Sequence, residues 1–307
     1  MTCTAPMIDI VPPYELAGPA DAPAIAVLGG ISASKHVSHH PADMSAGWWE
    51  GVVGEGCGID TRTSRVVSFD WLDGGRAADG RPARRVSTHE QADALAAVLD
   101  DAAIERVEAI VGASYGGMVA LAFAERHPSR VGRVVVNGAA HESHPMSTGI
   151  RAIQRRIVEL GLDTGHERDG LALARALGMT TYRSAREFAE RFEPGRIDED
   201  GTFEVERYLL HHGERFAATW RPERFLALSL STDTHRVSPE AIETPTVLIA
   251  AEGDTLVPRE QLVELSSRLA GSNVILDFPT RYGHDAFLAE PERFGETVAH
   301  ALTLPLA

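Results

Sequence analysis

With 307 residues, 44% of them hydrophobic, the chain can bury one substantial core with an inserted subdomain, as a globular protein does. Its 44 acidic and 29 basic residues give a formal net charge of -15, which disfavours a general nucleic-acid or anionic-membrane surface, so an anionic ligand needs a local basic pocket. Cys3 and Cys57 form no disulfide framework, no signal-peptide pattern opens the chain and no apolar run approaches ~18 residues, which together point to a soluble cytoplasmic protein.

Residues 1–20 carry Pro6, Pro12, Pro13 and Pro19, which suit an edge strand or extended arm closing in a turn after Ala17. Ala24–Leu28 reads as a strand buried in a parallel sheet, and it stops at Gly29-Gly30-Ile31-Ser32, where backbone N–H groups are left uncovered. His36, His39 and His40 follow closely. Their H-x-x-H-H spacing fits no regular zinc pattern and no cysteine or acidic partner stands at ligand spacing, so they are read as a loop beside the site, with no metal. The glycine-rich segment 47–58 reads as a surface loop, 65–70 as the next strand and 74–85 as a mobile loop. Ser87-Thr88-His89-Glu90 has the form of a capping box ahead of a helix carrying Ala94, Leu95, Ala97, Val98 and Leu99.

The stretch 107–118 organises the rest. An apolar run ends in Gly112-Ala113-Ser114-Tyr115-Gly116 and passes directly into a helical pattern, the sequence form of a nucleophile elbow. Glycines on both sides of Ser114 meet a steric requirement, because backbone crowds that turn. Residues 133–138 form another buried strand, and the strand, helix, strand rhythm predicts a doubly wound, mostly parallel sheet. Amphipathic stretches then recur at 150–158, 171–177, 185–192 and 204–210. We read residues 147–239 as a helical lid inserted between core segments 1–146 and 240–307. The sheet pattern resumes at 246–251 and 273–278, and Pro291 opens a terminal helix. Neither a P-loop nor G-x-G-x-x-G is present, so nucleotide phosphates find no such cradle.

A serine hydroxyl attacks only when a base removes its proton and a third group holds that base in the right tautomer. Asp254, past a late strand and a Gly turn, and His284, past the last strand, stand in the chain order serine, acid, histidine that such a fold requires. Asp277 falls inside a strand and Asp233 inside the insertion. The oxyanion donors expected are the N–H of Tyr115 and that of Gly30 or Ile31.

With these residues in view, the chain resembles the homoserine O-acyltransferases of the α/β-hydrolase fold, over most of its length from about Ala24. The marks are Gly112-Ala113-Ser114-Tyr115-Gly116-Gly117-Met118, Met179-Thr180-Thr181-Tyr182-Arg183-Ser184, the helical stretch 204–231 and Gly283-His284-Asp285-Ala286-Phe287-Leu288. The resemblance implies ping-pong transfer of an acyl group from acyl-CoA, succinyl favoured over acetyl, to the hydroxyl of L-homoserine in methionine synthesis. It further implies Arg183 and Asp285 as contacts to the acceptor, no permanently bound cofactor, and a homodimer. A guanidinium fork and a carboxylate do complement an amino acid's own charges. Ala113 and Tyr115 in the elbow, and Leu28-Gly29-Gly30-Ile31-Ser32 ahead of it, depart from the family's common forms. These departures leave a serine O-acyltransferase, or a serine esterase or thioesterase with the same triad, as alternatives.

Overall fold

The computed structural model describes residues 11–306, so the first ten residues of the expected edge arm lie outside the described residues. Seven strands form the central sheet: β1 (Tyr14–Ala17), β2 (Ala24–Leu28), β5 (Arg65–Phe69), β6 (Ala109–Ala113), β7 (Val134–Asn137), β8 (Thr246–Ala251) and β9 (Asn273–Phe278), in the order β1-β5-β2-β6-β7-β8-β9. A separate two-residue pair, β3 (Val53–Gly54) and β4 (Ile59–Asp60), lies beside it. All neighbours in the large sheet are parallel except β1, which runs antiparallel along the edge with Tyr14 opposite Phe69.

The burial pattern explains this arrangement. β2, β6 and β7 are buried at every position, as strands covered on both faces must be, whereas every residue of β1 is half-buried. Alternate residues feed two apolar layers. Ala24, Ala26 and Leu28 point towards α1 (Thr88–Asp101), α2 (Tyr115–Arg126) and α8 (Arg259–Arg268), while Ile25 and Val27 point towards α10 (Pro291–Thr303). The capping box closes as the sequence predicts: Glu90 N–H donates to Ser87 Oγ and Ser87 N–H donates to a Glu90 carboxylate oxygen at 2.8 Å.

One expectation is corrected. The segment 47–58 is no surface loop: Trp49, Val52 and Val53 are buried in the second layer, and Trp49 donates its indole N–H to the Phe287 carbonyl at 2.8 Å. Gly58 serves close approach, since a Cβ on it would sit 2.1 Å from the Gly295 carbonyl oxygen.

Between β7 and β8 the chain makes five helices: α3 (Pro145–Thr164), α4 (Glu167–Tyr182), α5 (Ala185–Arg191), α6 (Glu204–Ala217) and α7 (Pro222–Asp233). They share a small apolar cluster of their own, built on Val158, Leu171, Phe216 and Phe225. A neck joins the two ends of this insertion: Val237 N–H donates to the His141 carbonyl at 3.0 Å, and Glu142 pairs with Arg236 as an antiparallel bridge. Beside the neck, burial pushes the pKa of His235 down to about 3. Its neutral ring faces Thr88 Oγ1 through Nδ1 at 2.8 Å and donates through Nε2 to the Ala140 carbonyl at 3.1 Å. Between β9 and α10, α9 (Ala286–Ala289) is a single turn following His284. No helix among the described residues is long and apolar enough to cross a membrane.

Candidate active site

Ser114 stands between β6 and α2 with φ 55° and ψ -120°, a left-handed conformation that costs a residue with a Cβ about 1–3 kcal/mol. The turn is that tight because β6 must hand over directly to a helix packed beneath β2: a Cβ on Gly116 would lie 2.2 Å from the Leu28 carbonyl oxygen, and one on Gly112 would lie 2.4 Å from that of Gly116. Glycine at both positions is therefore a packing condition for exposing the serine.

The fold brings Asp254 and His284 to this serine from separate strand ends. His284 Nε2 is 2.9 Å from Ser114 Oγ, and Nδ1 is 2.7 Å from Asp254 Oδ2. Asp254 is anchored from behind, with Oδ1 accepting the N–H groups of Leu256 and Val257 at 2.9 and 3.0 Å. Its second oxygen is thereby aimed at the imidazole. Burial alone would lower the His284 pKa. The charge of Asp254 and its hydrogen bond, aided by the charge of Asp285, outweigh that and hold it above the ordinary histidine value.

The expected oxyanion donors are the backbone N–H of Tyr115 and that of Gly30 or Ile31. Tyr115 is the first residue of α2, where an N–H has no acceptor within the helix. The Gly30 carbonyl is fixed by the Trp71 indole N–H and the Ala33 N–H, both at 3.0 Å. No cis peptide occurs among the described residues, so the same peptide plane turns the Ile31 N–H away from those partners. Gly30 and Ile31 line the cleft above Ser114. The departure at Tyr115 has a structural reason. Its ring packs edge-on to Trp71 and its hydroxyl is 2.7 Å from Ser231 Oγ of α7, tying the elbow to the helical insertion. Burial pushes its pKa up to about 12.

The cleft holds about 180 Å³, and its charged lining besides His284 is Arg175 and Asp285. Arg175, on α4, was not marked by the sequence, where an arginine on an amphipathic helix reads as solvated. Here its guanidinium is half-buried 4.9 Å from the Tyr182 and Phe216 ring centres, and among the described residues no carboxylate lies within ion-pair distance of it. Arg183, the arginine marked in the sequence, stands behind Asp285: its Nε is 3.4 Å from Asp285 Oδ2, its guanidinium lies over the Tyr282 ring, and it is not part of the cleft wall. Burial raises the Asp285 pKa, opposed first by Arg183 and then by His284. Asp277 pairs with Arg259 on the exterior, and Asp233 is buried between Arg151 and Arg155. Of the histidine cluster, His36 and His40 stand beside Glu15 of β1, outside the cleft, while the loop they belong to leads to Trp48 in the cleft wall.

Residues 23–291 match the family model of the alpha/beta hydrolase fold. The homoserine O-succinyltransferase of Xanthomonas campestris pv. campestris is 41% identical over 291 residues, 94% of this chain and 78% of that protein. The L-serine/homoserine O-acetyltransferase of Streptomyces lavendulae is 34% identical, with 92% and 87% covered. Among solved structures, the homoserine O-acetyltransferase from Bacillus anthracis superposes with a TM-score of 0.83 over 96% of this chain and 92% of that one. Esterase E22 also reaches 0.83, over 94% and 93%. At 17% and 18% identity these two structures speak for the fold, whereas the sequence relatives, at twice that identity across nearly the whole chain, speak for the reaction class. The chain therefore belongs to the homoserine O-acyltransferase family of the α/β-hydrolase fold and is an O-acyltransferase.

Proposed function

We propose that this enzyme transfers a succinyl group from succinyl-CoA to the side-chain hydroxyl of L-homoserine through a Ser114 acyl-enzyme. The observation that carries this reading is one cleft holding a Ser-His-Asp array together with a cation, Arg175, and an anion, Asp285. An amino-acid acceptor needs one of each. The choice of succinyl and of homoserine is supported by the relative at 41% identity.

In the first half-reaction His284 Nε2 takes the Ser114 proton as Oγ bonds to the thioester carbonyl carbon. The carbonyl oxygen gains negative charge between the Tyr115 and Ile31 N–H groups. The C–S bond then breaks, and His284 returns the proton to the departing thiolate. In the second, the acceptor hydroxyl gives its proton to His284 and attacks the acyl-enzyme, and Ser114 leaves with that proton. The helices between β7 and β8 act as the lid that keeps water from the intermediate.

The deciding experiment follows coenzyme A release from succinyl-CoA and acetyl-CoA, each with L-homoserine, L-serine or no acceptor. We expect a single-turnover burst without acceptor, sustained turnover with homoserine, and the fastest turnover with succinyl-CoA. Equal sustained rates with and without an amino acid would mean a hydrolase. In the same assay Arg175→Lys and Asp285→Asn each raise KM for homoserine by about 10- to 100-fold, the loss of one charge-assisted contact, while leaving the burst intact. A lost burst in Arg175→Lys would instead assign that cation to the donor.

The reading includes a homodimer. On α3, Met146, Ile153 and Leu160 are 65%, 57% and 63% exposed at seven-residue intervals, with Ile150 and Ile157 between them. The three exposed side chains form an apolar stripe along α3 beside the half-buried Ile150 and Ile157, and a second α3 running antiparallel is the self-complementary partner we propose for it. Light scattering should give a dimer for the native chain and a monomer for Ile153→Glu. A native monomer at micromolar concentration excludes this face as the interface.

A further inference from the structure

Glu15, on the edge strand, sends its carboxylate oxygens to different partners. Oε1 faces Lys35 Nζ at 3.8 Å, whereas Oε2 lies 2.8 Å from His36 Nδ1 and 3.2 Å from His40 Nε2. The three ligand-type atoms of Glu15, His36 and His40 all lie within 4.8 Å of one another, on half-buried residues. His40 and Asp43 exchange backbone hydrogen bonds at 2.9 Å across a tight turn, and this places Asp43 Oδ2 3.7 Å from His36 Nδ1.

The second nitrogen of His36 decides how this cluster can be used. Nε2 lies 2.9 Å from the Ser45 carbonyl, which only accepts, so the ring proton belongs on Nε2. In the neutral ring Nδ1 is then an acceptor aimed at a carboxylate, and the contact needs a cation between the two, either a second ring proton or a metal ion in its place. A metal-bound imidazole has this arrangement, with one nitrogen on the ion and the other N–H held by a backbone carbonyl. The separations of 2.8 and 3.2 Å from the shared Glu15 oxygen lie near the ligand-to-ligand distance of about 3.3 Å in a tetrahedron with bonds of about 2.0 Å, and the two imidazole nitrogens stand within 4.8 Å of each other. Two imidazoles exclude the all-oxygen preference of calcium and magnesium and suit zinc.

We infer that Glu15, His36 and His40, with water in the fourth position, form a site for a divalent transition metal, zinc foremost, that fastens the loop after β2 to the edge strand. His40 Nδ1 accepts from the Ala42 N–H at a long 3.3 Å; on metal binding that bond is given up and the ring carries its proton on Nδ1. The fastened loop provides Ile31 and Trp48 to the cleft wall, and Trp48 N–H donates to the His36 carbonyl at 3.2 Å. The ion thus stiffens one wall of the cleft without touching Ser114, His284 or Asp254.

The test uses the full chain, stripped of metal with a chelator, titrated with Co2+ and followed by visible absorption, then competed with Zn2+. We expect one Co2+ per chain with the intense bands of a four-coordinate ion, displacement by Zn2+, and a rise in Tm on adding Zn2+. Glu15→Gln and His40→Gln each weaken binding by at least about tenfold and remove the Tm rise, measured against their own metal-free Tm. His166→Gln, at an exposed histidine elsewhere, leaves binding unchanged. A titration without a saturable four-coordinate spectrum, or binding that persists unweakened in both cluster variants, overturns the site.

Discussion

Replacing Ser114 by alanine lowers kcat by about 10^5- to 10^6-fold, the loss expected when the nucleophile of a triad is removed, and leaves Tm unchanged. Alanine keeps the Cβ and hence the unfavourable φ of 55° at the elbow, so only chemistry is lost. Ser114→Gly separates the two roles of the position. It is equally inactive, yet free of the Cβ penalty it gains about 1 kcal/mol of stability, which raises Tm by about 2 °C. Calorimetry of both variants beside stopped-flow coenzyme A release checks the pair of statements. Retained turnover in Ser114→Ala removes Ser114 as the nucleophile, and a glycine variant less stable than the alanine variant removes the strain.

Asp254→Asn costs about 10^4-fold in kcat, for a reason that the hydrogen bonds make explicit. The asparagine carbonyl would keep the Leu256 and Val257 N–H groups that now hold Oδ1, and so would present its NH2 to His284 Nδ1. That forces the proton onto Nε2, where it faces Ser114 and the ring can no longer act as base. The pH dependence has a definite sign. His284 works as a base only when deprotonated, and Asp254 raises its pKa, so kcat/KM in the native enzyme falls as pH drops through a value above that of ordinary histidine. Without the carboxylate charge, burial dominates and the acid limb of residual activity moves to lower pH. Profiles of kcat/KM over about pH 5 to 9 for both proteins show the movement, and an unmoved limb would mean that Asp254 does not set this pKa.

What the sequence shows and what it hides divides along physical lines. The elbow is legible because its requirement is local: Gly112 and Gly116 are needed by backbone only a few residues away or by the neighbouring strand. Asp254 and His284 are legible through chain order, since strand ends of a parallel sheet converge at one edge. Arg175 is not, because what distinguishes it from a solvated arginine is the pair of rings, Tyr182 and Phe216, that a different helix and a helix end bring to it. Glycine richness in 47–58 carries two meanings, turn and close approach, and only the burial of Trp49 separates them. Glu15 stands 21 residues from His36 and meets it because β1 runs along the sheet's edge, a pairing that no local pattern announces.

The neck at His141–Glu142 and Arg236–Val237 has a consequence for how such an enzyme can change. Because backbone hydrogen bonds join the two ends of the helical insertion, the sheet-forming chain leaves and re-enters at one point, and to the core the whole insertion is equivalent to a hairpin turn with little loop-closure entropy attached. Ser114, Asp254 and His284 belong to the chain outside that point, whereas Arg175 and Tyr182 belong to the chain inside it. The triad, with Asp285 beside it, and the cleft-wall residues Arg175 and Tyr182 thus lie on separable stretches of chain, and recombination at the neck can exchange the second while leaving the first intact.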